Sequence, residues 1–184
     1  EFERAGEVKR QIFALKHIND VALLKDSSLH LSAPFRIEAY DIAHMSGKNM
    51  TGVMTVVEDG EASKNEYRKF KIRTQAGAND TGALKEVLER RFNHTEWRFP
   101  NLVVVDGSIA QINTIQSVFA NLNLKIPAVS VVKDERHKPK AIIGDEQFAL
   151  KYKREILLVN SEAHRFAIAY HKNMRGKNFL NYEK

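Results

Sequence analysis

Strand-like patterns of apolar and polar residues occur three times in succession in the first half of the chain. Arg36–Ala43 and Glu66–Ile72 alternate between the two kinds of residue, and about Met50–Glu58 is rich in valine and threonine. Asp59 and Gly60 begin a turn between the last two segments. The pattern therefore predicts an antiparallel meander of three strands.

Helical and strand-like patterns alternate after the meander. The predicted order is a helix through Leu84 to Phe92, a strand at Leu102–Asp106, a helix through Ile109 to Phe119 and a strand at Pro127–Val132. This order forms a βαβ unit, and therefore a parallel pairing. Three antiparallel strands continued by parallel strands, with helices on the faces, form an α/β mixed sheet of the ribonuclease-H-like plan. The element order alone leaves ferredoxin-like and other mixed α+β plans open.

The remaining segments complete the predicted organisation. Lys133–Lys140 is a charged loop, Ala141–Ile143 and Gln147–Leu150 resemble a small hairpin, and Lys153–Lys172 has a helical pattern followed by a polar, basic segment that we expect to be frayed. The predicted divisions are an N-terminal helix over residues 1–25, a linker over 26–35, the α/β domain over 36–175 and a tail over 176–184. The N-terminal helix has only a narrow apolar stripe, so it needs a partner to be stable.

Composition and charge narrow the class of protein. The 184 residues, 43% of them hydrophobic, fit one domain plus an appendage, and the chain contains no cysteine. Disulfides, thiolate zinc sites and iron–sulfur clusters are therefore excluded within it, and a cytoplasmic location is expected. The net charge of +6 favours an anionic partner, nucleic acid before a membrane. The chain begins at Glu1 within a helical pattern, so we expect it to be a piece of a longer protein.

Two aspartates lie within or at the end of strand patterns that are otherwise apolar on the same side. Alternation places Asp41 on the same side of its strand as Ile37 and Ala39, and Asp106 ends a buried apolar run just before Gly107. An ionised carboxylate among core residues is costly unless something pairs with it. If the two strands are neighbours, both carboxylates face one crevice at the carboxyl ends of the strands. A divalent metal ion such as magnesium would satisfy both acids, whereas helix capping or pairing with a lysine are the structural alternatives.

Further polar residues lie near these strands or on the last helix. His164 lies on a half-apolar helix, where a histidine is more often structural, but next to two carboxylates it could bind a metal or activate water. Asp80 is placed to cap the helix that follows it. Lys133 and Arg136 follow a strand and could contact a phosphate backbone, although a solvated loop explains them equally well. Arg90-Arg91 is interpreted as a charge pair at a helix end.

Five segments together resemble the C-terminal endonuclease domain of the UvrC family of excision-repair nucleases. They are Arg36–Gly47 (RIEAYDIAHMSG), Glu66–Ile72 (EYRKFKI), Leu102–Gln111 (LVVVDGSIAQ), Val132–Lys138 (VKDERHK) and Glu162–Lys172 (EAHRFAIAYHK). Residues 1–24 resemble the second half of the UVR motif, through which that family contacts UvrB. The resemblance implies two partners, UvrB and damaged double-stranded DNA. No apolar run approaches the length of a membrane span, so no membrane association is expected, and we expect a monomer.

The resemblance also implies a fold, an activity and a site. The family domain is ribonuclease-H-like and cuts the damaged strand on the 5′ side of the lesion with a divalent metal, Mg²⁺ or Mn²⁺. Its catalytic and metal-binding Asp-Asp-His set falls on Asp41, Asp106 and His164, and a further aspartate that the family needs falls on Asp80. The expected phosphate contacts are Lys133, Arg136, Arg165, Lys172 and Arg175.

The sequence departs from the family pattern in two places. Ser108-Ile109-Ala110 stands where the family has Gly-Lys-Gly, and Asn160-Ser161 precedes Glu162 where the family has Arg-Asp. The first departure removes a glycine from the turn after Asp106. It is the main support for an alternative, a non-catalytic DNA- or protein-docking module with the same fold. A nucleotide-binding α/β domain is a weaker alternative, because no Gly-rich phosphate loop follows any strand.

Overall fold

The structure, a computed structural model, describes four segments of the chain. They are residues 33–45, 49–74, 79–136 and 138–180. The predicted N-terminal helix over residues 1–25 and most of the linker over 26–35 lie outside the described residues. Within the described part, none of the helices combines the length and the hydropathy that a membrane span requires.

A seven-stranded mixed sheet forms the centre of the domain. Its strands are β1 (Arg36–Met45), β2 (Asn49–Glu58), β3 (Glu61–Ala62), β4 (Arg68–Lys71), β5 (Leu102–Asp106), β6 (Ala128–Lys133) and β7 (Pro139–Gly144). The order is β3-β2-β1-β5-β6-β7, with β4 also pairing with β2. β1 runs antiparallel to β2 and parallel to β5, β6 continues the parallel part, and β7 is antiparallel to β6. The prediction of a meander continued by parallel strands is confirmed.

Helices cover both faces of the sheet. They are α1 (Asp80–Phe92), α2 (Ile109–Asn121), the short α3 (Glu146–Lys151) and α4 (Lys153–Leu180). One apolar cluster joins Tyr40 of β1 to α1 and α2, whereas Ile37 and Ala39 join α4 in a second cluster on the opposite face. The alternation predicted for the first strand is therefore the observed one. Helix α4 continues to Leu180, beyond the predicted end near Lys172.

The hairpin predicted after the charged loop is wrong in its second half. Ala141–Ile143 lies in β7, but its partner is β6, and Gln147–Leu150 lies in α3. The Asp145 side chain accepts a hydrogen bond from the Phe148 backbone nitrogen at 3.2 Å and so caps the helix. Phe148 and Tyr152, one helical turn apart, both stack on Phe35, which favours a helix over a strand at this position.

A buried ion-pair network joins β1 to α1. The Arg91 guanidinium and the Glu38 carboxylate are both fully buried, with 2.8 Å between Nη2 and Oε1. Arg36 Nε lies 2.9 Å from the same carboxylate, and the Tyr40 hydroxyl donates to it at 2.6 Å. The interpretation of Arg91 as part of a helix-end charge pair is therefore wrong, because its charge is paired in the core. The network fixes α1 against the strand that carries Asp41.

Candidate metal centre

Asp41 and Asp106 lie side by side because β1 and β5 are parallel neighbours. Their register pairs Tyr40 with Val105, so the next residue along each strand is an aspartate. Side chains opposite each other on neighbouring strands point to the same face. Both carboxylates therefore lie on the face that α4 covers, at the carboxyl end of β5 and just past the last paired residues of β1 and β5, a position where open α/β sheets bind ligands.

Helix α4 brings His164 to the two carboxylates. Ala163 and Ala167 of α4 are buried against the sheet, and this packing sets the side of the helix on which His164 lies. The His164 Nδ1 atom is 3.7 Å from Asp41 Oδ2, and its side chain is 55% exposed. Asp41, Asp106 and His164 each offer one ligand atom within 4.8 Å of the others. The structure thus brings the three predicted metal ligands together.

Two clefts meet at the carboxylate pair. The larger, about 490 Å³, is lined by Asp41, Asp106, Lys133, His164, Ile42, Ala43, Ala167, Ile168 and His171. The smaller, about 260 Å³, lies on the other side of the pair and is lined in part by Asp80 and Gln111.

Asp80 is the first residue of α1, whereas the cap is Asn79, which accepts from the Gly82 nitrogen at 2.9 Å. The expectation that Asp80 caps the helix is therefore wrong, and its carboxylate borders the second cleft.

The electrostatics of the pair favour a bound cation. Burial raises the pKa of Asp41, and the negative charge of Asp106 raises it further, while His164 and Lys133 act in the opposite direction. The Lys133 ammonium forms an ion pair with Asp106 Oδ2. Two carboxylates and an imidazole nitrogen are donors that a magnesium or manganese site can use. The residues therefore fit a divalent ion.

The turn after β5 accommodates the departure at Ser108. Gly107 keeps a φ of +147°, a conformation that side chains rarely adopt, whereas Ser108 is extended at φ −103° and ψ −173°. The Ser108 side chain caps α2, and Gln111 Oε1 accepts from the Ser108 backbone nitrogen at 2.9 Å. The second glycine is therefore not needed for the backbone path. Gln111 was missed as a site residue, although Ser-x-x-Gln is a recognisable capping box.

The predicted phosphate contacts have different surroundings. Lys133 lines the larger cleft, and Arg136 is exposed in the loop after β6. Arg165 pairs with Glu162 at 2.5 Å between Nη2 and Oε2, and the Tyr67 hydroxyl donates to the same carboxylate. Lys172 is exposed on α4. Arg175 lies in the same helix, but its side chain is outside what the structure describes.

Sheet order and the acidic pair define the class: a ribonuclease-H-like domain with a candidate metal centre formed by Asp41 of β1 and Asp106 at the carboxyl end of β5. Residues 26–168 match the model of the UvrC RNAse H endonuclease domain. The chain belongs to the UvrC family. It is 37% identical over 206 aligned residues to UvrABC system protein C of Clostridium botulinum (strain Loch Maree / Type A3), covering 96% of this chain and 33% of that protein. The corresponding protein of Clostridium acetobutylicum is 33% identical, with 97% and 33% covered.

The chain spans about a third of the length of the curated relatives it matches. Among solved structures, Ciona intestinalis endonuclease V in complex with an inosine-containing DNA has a TM-score of 0.41 and 11% identity, covering 67% of this chain and 56% of that one. Human ENDOV has a TM-score of 0.41 and 16% identity, covering 67% and 54%.

Proposed function

We propose that this chain is the catalytic domain of a divalent-metal-dependent DNA endonuclease of nucleotide excision repair, which cuts the damaged strand on the 5′ side of the lesion. The observation that carries the proposal is the convergence of Asp41, Asp106 and His164, whose ligand atoms lie within 4.8 Å of one another. Membership of the UvrC family supports the reaction class, and the 5′ position of the cut rests on the family resemblance.

Asp41 and Asp106 would hold the ion, Mg²⁺ or Mn²⁺. His164 would serve as a third ligand, or would orient the attacking water from its exposed position at the edge of the larger cleft. When bound, the ion supplies a water nucleophile at neutral pH and charge stabilisation for the phosphate under attack. Asp80, across the second cleft, is placed to position the turn or the substrate rather than to join the three-ligand set.

The DNA backbone would lie across the larger cleft. Lys133, the last residue of β6, already lines this cleft. Further contacts are proposed for a set of basic residues on the loop after β6 and on α4: Arg136, Arg165, Lys172 and Arg175. Arg165 would have to leave Glu162 to serve in this way. Binding that depends on such contacts weakens steeply with added salt.

The partners follow from the same proposal. Damaged double-stranded DNA is the substrate, and residues 1–25 contact UvrB as part of a UVR-type motif. In the proposed organisation, residues 26–35 are a linker, residues 36–175 form the nuclease domain and residues 176–184 form a tail. We propose a cytoplasmic monomer. The docking-module alternative depended on the turn at Ser108, and the regular capping box found there gives it no support.

The direct test is metal-dependent cutting by the full-length protein that contains this domain. With UvrB and a labelled, damaged duplex, we expect a 5′ incision in Mg²⁺ that EDTA abolishes. Asp106→Asn should reduce the rate by about a thousandfold or more, because several kcal/mol of charge stabilisation are lost. Folding should change little, since asparagine has nearly the same shape as aspartate and Asp106 is the last residue of β5.

A matched control shows whether a loss of cutting is specific to the site or follows from the removal of any carboxylate. Asp145→Asn also removes one carboxylate, but asparagine caps a helix as well as aspartate does, and Asp145 is not among the residues that line the two clefts. This variant should cut at the wild-type rate. Wild-type cutting by Asp106→Asn, or cutting that persists in EDTA, refutes the proposed site.

A further inference from the structure

Lys133 occupies a cation position inside the candidate metal centre. Its ammonium pairs with Asp106 Oδ2, and the two side chains are only 20% and 19% exposed. Strand β6 lies beside β5, with Val131 opposite Asp106, and the pairing of β6 with β7 is irregular between Val132 and Lys133. Lys133 lies two residues after Val131, so strand alternation places its side chain on the same face as that of Asp106. The last residue of β6 is thereby brought to the carboxylate that would also hold a metal ion.

The ammonium and a divalent ion compete for the same negative charge. Without a metal, Asp41 and Asp106 are partly neutralised by Lys133, and Lys133 lowers the pKa of Asp41. A divalent ion held by both carboxylates repels the ammonium twice as strongly as a single charge would at that separation. Lysine is a point charge on a flexible stem with three donors, so it can turn away without moving the strand.

We infer that Lys133 holds the cation position at Asp106 until a divalent ion binds, and that the ion then releases the Lys133 ammonium into the larger cleft, where it binds a DNA phosphate. This inference rests on the proposed function, because it needs the metal site. The cleft has about 490 Å³ and is lined by Lys133 itself, so the released ammonium stays within it. Metal binding and phosphate binding are coupled in this way, and Lys133 is a positioning residue for the ion as well as a phosphate contact.

The exchange makes a prediction that a merely structural ion pair does not. Lys133→Met keeps an unbranched side chain, one atom shorter, but removes the competing charge, so it should bind Mn²⁺ about tenfold more tightly than the wild type in the absence of DNA. Lys133→Arg keeps the charge and should bind Mn²⁺ with wild-type affinity. Lys138→Met removes an exposed lysine from the same loop and should also match the wild type. Electron paramagnetic resonance measures free Mn²⁺ in each titration of the whole chain.

A second measurement needs no variant. In ¹⁵N-lysine-labelled wild-type protein, the Lys133 side-chain ammonium should give a signal typical of a fixed ion pair in EDTA. Added Mg²⁺ should shift or broaden that signal, while the Lys138 signal stays in place. The exchange can therefore be tested even if the Lys133→Met variant does not fold.

The outcomes distinguish the exchange from the site itself. If the wild type binds Mn²⁺ but Lys133→Met binds it equally or more weakly, or if Mg²⁺ leaves the Lys133 signal unchanged, the exchange is overturned and the metal site remains. If neither protein binds Mn²⁺ at millimolar concentration, the metal site is overturned and the exchange with it. Tighter binding by Lys133→Met alone supports both.

Discussion

At the scale of single residues, the candidate site concentrates negative charge that the fold does not fully neutralise. Burial and the neighbouring Asp106 raise the pKa of Asp41, so the folded protein keeps the Asp41 proton to a higher pH than the unfolded chain does. Stability without metal therefore falls as the pH rises from the ordinary value of about 3.8 through the raised one, and the whole cost is present above it. A bound cation would offset this cost.

The variant Asp41→Asn tests this charge directly. In EDTA at pH 7 it should be more stable than the wild type, because it removes an ionised carboxylate that the folded state disfavours. The difference should shrink as the pH falls through the raised pKa of Asp41 and disappear below about 3.8, where the wild-type carboxyl is protonated in both states. Urea unfolding at a series of pH values measures both effects. A variant less stable than the wild type at pH 7 would show that Asp41 is not under electrostatic strain.

Gly107 is the residue of the turn that a side chain would disturb most. Its φ is +147°, and a Cβ there would lie 2.6 Å from Gln111 Cδ. Gly107→Ala should therefore lower the free energy of unfolding by about 1–3 kcal/mol, the usual cost of such a conformation. Ser108→Gly is the matched control and should cost only about 0.5 kcal/mol, since glycine is a tolerated cap. Equal urea midpoints for Gly107→Ala and the wild type would contradict the account of the turn.

Residue patterns predicted the acids, and a lysine as one alternative partner, but not which lysine pairs with Asp106. Asp41 was recognisable because it continues the face of Ile37 and Ala39, and those residues do pack on α4. Lys133 itself was expected to contact phosphate. Its ion pair with Asp106 joins residues 27 positions apart and depends on the register between β5 and β6, which no local pattern reveals.

At the scale of elements, the attachment of α1 to β1 depends on charges inside the core. Arg91 and Glu38 are fully buried and paired, and Arg91 Nη2 also donates to the Arg98 carbonyl oxygen at 2.6 Å. Removing Arg91 would leave the buried Glu38 carboxylate with Arg36 and the Tyr40 hydroxyl but without its fully buried partner. Because α1 also begins beside the second cleft, its attachment affects the surroundings of the site.

Arg91→Met should therefore destabilise the domain strongly. We expect a loss of about 3–5 kcal/mol in the free energy of unfolding, the usual effect of breaking a buried ion pair. Arg90→Met is the neighbouring control: Arg90 is 36% exposed, and its partner Glu86 also accepts hydrogen bonds from Arg73 and Thr74, so the loss should be about 1 kcal/mol or less. Urea denaturation measures both variants. Similar losses in the two would mean that the buried pair has no special importance.

Helices and strands with a clear period were predicted well, and short or long-range features were not. The apolar run at Leu102–Asp106 gave the correct strand bounds. Gln147–Leu150 was too short to show a period, and its helix depends on stacking with Phe35, more than 100 positions away in the chain. The pairing of Glu38 with Arg91 spans 53 positions, so an Arg-Arg sequence at a helix end gave no sign of it.

At the scale of the whole molecule, a ribonuclease-H-like fold brings two aspartates and a histidine together, next to a cleft large enough for a phosphate. The sheet supplies Asp41 and Asp106 from adjacent strands, and α4 supplies His164 from the covering layer. Three separate elements must therefore be in place before the site exists. The chain spans about a third of the length of the curated relatives it matches.

The central claim is that Asp41, Asp106 and His164 form one divalent-metal site. The most direct measurement is anomalous X-ray diffraction from crystals of this chain soaked in Mn²⁺. We expect one strong anomalous peak within about 2.5 Å of oxygens from both carboxylates. Crystals of Asp106→Asn should lack it. An empty site at saturating Mn²⁺, or a peak elsewhere with the two carboxylates pointing apart, would contradict the claim.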